Sequence, residues 1–102
     1  MKVLFICNAN LQRSPTAEEI FKDEFETKSA GVHPEARVPV TKAALEWADM
    51  IFVMEAWHKQ VIQEWFPDIK KRIIVLGIPD QYYNMEPELI TLLRKKVKEY
   101  IH

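Results

Sequence analysis

The chain lacks the residues that several whole classes of protein depend on. Its 102 residues include one cysteine, Cys7, and two glycines, Gly31 and Gly77. A single cysteine excludes an intramolecular disulfide, and a free thiol suits the reducing cytoplasm, where the protein is expected to reside. The three histidines, His33, His58 and His102, stand at no metal-ligand spacing, so no metal or other cofactor is expected. No apolar run approaches the roughly 20 residues of a membrane span. The run at residues 3–7 is too short for a secretory leader and has no cleavage site. Neither sign of charge dominates: the net charge is −1, which argues against nucleic acid or an anionic membrane as partner. The basic runs Lys70-Lys71-Arg72 and Arg94-Lys95-Lys96 read as solvated faces. Repeats, low-complexity segments and inter-domain linkers are absent, and a chain of this length holds one core, so residues 1–102 are read as one domain.

What the chain has is concentrated between Cys7 and Pro15, in Cys-Asn-Ala-Asn-Leu-Gln-Arg-Ser-Pro. The preceding run Val3-Leu4-Phe5-Ile6 is β-branched and aromatic, as in a buried parallel strand. Ser14 and Pro15 then read as the cap and first residue of a helix. Amides of a loop that closes on a helix N-terminus point one way and form an anion site. Here Asn8, Ala9, Asn10, Leu11, Gln12 and Ser14 would line it. Arg13 adds a planar, permanent charge that can hold two oxygens of one phosphate. That field favours the thiolate of Cys7, a nucleophile aimed at the bound anion, with the Ser14 hydroxyl as a hydrogen-bond donor to it. Asn10 is expected to brace the loop through its side chain or to take a left-handed backbone conformation.

The rest of the chain alternates strands and helices. A helix is predicted over Pro15–Phe25, with Ala17, Ile20, Phe21 and Phe25 inward, and a strand over Glu26–Ala30, ended by Gly31. Residues 32–40 read as a loop. Thr41 caps a helix to Ala48, and Met50–Met54 is a central strand. A third helix runs from Ala56 to Phe66, with Trp57, Val61, Ile62 and Trp65 at helical spacing, and Pro67 stops it. Glu55 reads as an acid at that helix's start, and the tryptophans as core or partly buried packing. A strand over Arg72–Leu76, a loop over residues 77–84 and a helix over Glu86–Ile101 complete the chain. This is an α/β pattern with right-handed crossovers: a flavodoxin-like three-layer sandwich, with a four-stranded parallel sheet of order 2-1-3-4 and helices on both faces. In such a sheet ligands bind beyond the strands' carboxyl ends, at the switch point beside the first strand. Cys7 and the loop holding Asp80 both lie at that edge.

Cysteine followed by five residues and then Arg-Ser is the spacing of the phosphate loop of cysteine-dependent phosphatases. Its position near the N-terminus and the continuation Ser14-Pro15-Thr16-Ala17-Glu18 resemble the low-molecular-weight protein tyrosine phosphatases. Lys28-Ser29-Ala30-Gly31 and Ala48-Asp49-x-Ile51-x-Val53-Met54-Glu55 resemble further segments of that family. The resemblance implies a metal-free phosphomonoester hydrolase, acting on phosphotyrosine proteins or small aryl phosphates through a phosphocysteine. Asp80-Gln81-Tyr82-Tyr83 resembles the family's Asp-Pro-Tyr-Tyr segment, which makes Asp80 the general acid and sets Tyr82 and Tyr83 beside an aryl substrate. Tyr82 and Tyr83 also read as amphipathic rings covering the edge of the last helix.

Three positions depart from the family pattern: Ala9 stands for glycine, Gln12 for a second cysteine and Gln81 for proline. Other readings of the residues are a non-catalytic module that binds a phosphorylated partner, an arsenate reductase-like enzyme using an external thiol, and a cysteine-phosphorylated carrier, against which Arg13 argues.

Overall fold

In the computed structural model, which describes residues 1–101, the elements run β1 Lys2–Cys7, α1 Arg13–Phe21, β2 Glu26–Gly31, α2 Lys42–Trp47, β3 Met50–Val53, α3 Ala56–Trp65, β4 Ile73–Val75 and α4 Pro87–Lys98. The four strands form one parallel sheet in the order β2-β1-β3-β4. The expected α/β topology is the one observed.

Period-two alternation along β1 divides the core. Val3, Phe5 and Cys7 point to one face, where Phe52 and Ile74 join them under α1 and α4 through Ala17, Phe21, Leu89, Leu93 and Val97. Leu4 and Ile6 point to the other, with Ile51, Val53 and Ile73 under α2 and α3 through Leu45 and Ile62. The rings of Phe21, Phe5 and Phe52 stack in a row at 5.8 and 5.6 Å. This packing fixes the carboxyl ends of all four strands along one edge.

Three local expectations change. Helix α1 begins at Arg13 with Gln12 at the cap, not at Ser14, and Gln12 makes no side-chain capping bond. The Ser14 hydroxyl cannot serve as a cap because it turns toward Cys7. The same helix stops at Phe21, where the Phe21 carbonyl accepts from the N–H groups of both Glu24 and Phe25. The tightened turn still delivers Phe25 to the core. On α3 the buried positions are His58 and Ile62, while Trp57 and Trp65 are exposed at 42% and 52%. The histidine, not the tryptophans, occupies the inward stripe.

Candidate active site

The segment from Cys7 to Arg13 leaves β1 and folds over the end of β2. Asn10 is the loop's left-handed residue, with φ 58°. Its buried amide donates from Nδ2 to Ser14 Oγ and to Ser29 Oγ, both at 2.9 Å. Asn10 therefore plays both roles anticipated for it. Ala9 carries no positive φ, so a side chain there needs no strained backbone. The glycine that matters lies opposite: a Cβ on Gly31 would sit 2.4 Å from the Asn8 carbonyl oxygen and 3.0 Å from the Asn10 nitrogen. The loop can settle onto β2 because position 31 has no side chain.

Cys7 Sγ and Ser14 Oγ are 3.0 Å apart, both buried. Ser14 Oγ also lies 3.3 Å from the Ala30 carbonyl. One hydroxyl proton thus has two acceptors. With a thiol at Cys7 it goes to Ala30, and with a thiolate it turns to the sulfur. Asn10 holds the oxygen in either state. Behind this, Ser29 Oγ donates to Glu18 at 2.6 Å, so the loop's support runs through α1 and β2 together.

Arg13 is 2% exposed. Its Nη1 donates to Glu55 Oε2 at 2.7 Å and to the Ile78 carbonyl at 2.8 Å, and its Nε is 3.8 Å from Asp80 Oδ1. The guanidinium therefore links α1 to the segments after β3 and β4. Burial pushes the Glu55 carboxyl up, but the hydrogen bond and charge of Arg13 outweigh it and hold the group below its usual range. Glu55 is also the cap of α3: its carboxylate accepts from the His58 N–H, and its own N–H donates to His58 Nδ1 at 3.1 Å.

The partnership of Glu55 with Arg13 is what sequence reading missed. The available signal was its place just beyond β3, at the sheet edge that already marked Asp80. His58 is fully buried, and burial foremost, with the Arg13 charge second, lowers its pKa to about 4.

The segment after β4 is tied down at its far end. Asn84 Nδ2 donates to the Leu11 carbonyl at 2.9 Å, and the Met85 N–H donates to Thr16 Oγ1 at 2.8 Å. Met85 takes a left-handed conformation. Asp80, Gln81, Tyr82 and Tyr83 line one shallow cleft with Gln12. Tyr82 packs on the core beside α4, while Tyr83 is 77% exposed. Of the expected site residues, the structure brings Cys7, Asn10 and Ser14 into one buried cluster. It gathers Arg13 with Asp80, and it leaves Leu11 and Tyr83 on the surface. Among the described residues no cluster of potential ligands for a metal ion is present.

The description "Low molecular weight phosphotyrosine protein phosphatase" matches residues 2–45, from β1 through the loop and β2 into α2. Over that segment the chain is similar to the low molecular weight phosphatases. It is 26% identical over 144 residues to a protein-arginine-phosphatase of Bacillus subtilis, covering 97% of this chain and 96% of the relative. A protein-arginine-phosphatase of Geobacillus stearothermophilus is 29% identical over 101 residues, covering 74% and 68%. The crystal structure of a low molecular weight protein tyrosine phosphatase from Streptococcus pyogenes superimposes with a TM-score of 0.81 at 20% identity, covering 98% and 90%. That likeness carries the fold. The alignment with the Bacillus subtilis protein runs over 144 positions against 102 residues here, so the relative carries extra residues as insertions. No helix among the described residues is long and apolar enough to cross a membrane.

Proposed function

We propose that the protein is a cysteine-dependent phosphomonoester hydrolase acting on aryl phosphates, phosphotyrosine in proteins foremost. The observation that carries this reading is the buried Cys7–Ser14–Asn10 cluster at 2.9–3.0 Å, beside an arginine whose orientation is fixed by Glu55. A phosphate seated on the loop amides of Asn8, Ala9, Asn10, Leu11 and Gln12 takes its remaining charge from Arg13. Cys7 Sγ attacks phosphorus, the S–P bond forms, and the P–O bond to the leaving group breaks. The developing oxyanion takes a proton from Asp80. Asp80, now a carboxylate, removes a proton from water as that water attacks the phosphocysteine. The S–P bond breaks, phosphate leaves and the thiolate returns, with Ser14 donating to it.

One feature favours an aryl leaving group and another favours Asp80 as the acid. The cleft beside the loop carries Tyr82 and Tyr83, with Leu11 exposed at the loop's crest. Of the carboxylates near the site, Glu55 is already committed to Arg13. A second reading, phosphoarginine, is favoured by the names of the two curated relatives. Metal-free release of phosphate from paired phosphotyrosine and phosphoarginine peptides decides between them. Turnover that is lost in Cys7→Ser supports the enzyme reading. Wild-type protein that binds phosphate yet hydrolyses neither peptide nor p-nitrophenyl phosphate would leave only a binding module.

A further inference from the structure

The outer face of α3 carries Trp57, Val61 and Trp65 at i, i+4 and i+8, one stripe about 12 Å long. Two of these are large rings exposed to solvent at 42% and 52%. The stripe faces Val32 and Pro34, in the segment after β2. Together they line an open cavity of about 320 Å³ that reaches the loop after β1 at Asn8. The remaining lining group is His33, whose Nδ1 accepts from the Glu35 N–H. No carboxylate, lysine or arginine lines it, although 28% of the chain is charged.

We propose that this cavity is a subsite for an apolar side chain flanking the phosphorylated residue of a peptide substrate. The inference rests on the phosphatase reading above and deepens it. Continuity with the candidate site decides the occupant. Asn8 is the first residue after Cys7, so a phosphopeptide seated on the loop passes the mouth of the cavity within one or two extended residues, about 3.3 Å each. The volume lies at the lower end for ligand sites and takes one large side chain. Its uncharged lining leaves an acidic or basic flanking residue without a partner and desolvates it, so such residues are selected against. The cleft of Tyr82 and Tyr83, bordered by Gln12 and Asp80, is lined by none of the same residues. The phosphorylated residue and its neighbour thus have separate places.

The test compares kcat/KM for three sets of phosphotyrosine peptides with leucine, alanine or aspartate placed one to two residues to either side. Each is measured on wild type, Trp57→Ala and Trp65→Ala, with p-nitrophenyl phosphate as the reporter of the reaction centre. Wild type should favour leucine over alanine about tenfold at one flanking position, with aspartate below alanine. Trp65→Ala removes a half-exposed ring and should fold normally. It should reduce the leucine preference severalfold through KM, and Trp57→Ala should bring it within twofold of unity. Turnover of p-nitrophenyl phosphate with no flanking preference in wild type overturns the subsite alone. So does a preference that both variants retain. A face that instead joins two copies, seen as a wild-type dimer made monomeric by Trp65→Ala with peptide ratios unchanged, overturns it as well. Failure to hydrolyse any of these phosphates sinks the aryl-phosphatase reading and the subsite with it.

Discussion

His58 makes the protein's stability depend on pH in a calculable way. The imidazole is fully buried, its Nδ1 accepts from the Glu55 N–H, and its Nε2 has no hydrogen-bond partner. Burial and the nearby Arg13 charge favour the neutral ring, while Glu55 and Asp80 oppose them. The folded-state pKa drops from 6.5 to about 4. The unfolded chain therefore takes up a proton below pH 6.5 that the folded chain refuses until about pH 4. Stability is complete above the upper value and falls as pH drops through that window. The full loss is about 3 kcal/mol, of which roughly 2 kcal/mol falls between pH 6.5 and 5. Glu55, with its pKa lowered, also costs stability on acidification, but only below its ordinary value of 4.5. The two groups therefore act in different ranges. His58→Gln separates them. Glutamine is a natural capping-box residue whose carbonyl can accept from the Glu55 N–H, and it does not titrate. Urea unfolding at pH 7 and pH 5 is the assay, with the slope m checked for constancy. Wild type should lose about 2 kcal/mol over that interval and the variant less than half as much. Equal losses in the two proteins, or no loss in wild type, would refute the assignment of this acid sensitivity to His58.

Three shorter predictions bear on the loop and its clamp. Arg13→Lys keeps the charge but loses the fork that reaches Glu55 and Ile78 together, so both kcat/KM and urea stability should fall; unchanged values would make Arg13 a bystander. Gly31→Ala should weaken vanadate binding and cost at least 1 kcal/mol of stability, because the new methyl meets loop backbone; isothermal titration and urea curves matching wild type would count against the close approach. Asp80→Asn should slow phenyl phosphate hydrolysis about 10²-fold or more and p-nitrophenyl phosphate far less, since p-nitrophenolate leaves without a proton. Equal losses on the two substrates would remove Asp80 from the role of acid.

The sheet order and the convergence of Cys7 with the segment after β4 were legible because they depend on short-range signals: continuous apolar runs in β1 and β3, and the rule that crossovers are right-handed. The end of α1 was not legible. Lys22, Asp23 and Glu24 suit a helix as well as a turn, and only the packing of Phe25 decides. The stripe of α3 misled for a related reason. Trp57, Val61, Ile62 and Trp65 satisfy helical spacing, but the inward position nearest the site is taken by His58, which closes the capping box with Glu55. Periodicity ranks tryptophan above histidine for burial; the hydrogen bond reverses that order. The departure at Ala9 brings no backbone strain, because the left-handed turn sits one residue later, on Asn10. Lys71 illustrates the same limit. Read as part of a solvated run, it instead donates to the carbonyls of Leu45, Glu46 and Ala48 at the end of α2.

Arg13 joins stability and chemistry in one side chain. It opens α1, pairs with the acid after β3, and donates to the carbonyl of Ile78 two residues before Asp80. The segments after β3 and β4 are therefore joined at the strand edge by one guanidinium. This explains how a chain of 102 residues holds the loop and the Asp80 segment in one place. The same segment is pinned again at Asn84 and Met85, so Asp80 lies between two fixed points and is itself 63% exposed. A residue held at both ends of its segment but free at its side chain suits proton exchange with water. That combination does not require the rigidity of a proline at position 81. It places the burden on Arg13: a substitution there releases Glu55 and the start of the Asp80 segment together. Under the proposed mechanism, Arg13 variants are expected to lose activity from two sources, the missing phosphate clamp and a displaced acid. They part in the leaving-group dependence, because a displaced acid penalises phenyl phosphate above p-nitrophenyl phosphate, while a missing clamp penalises both alike.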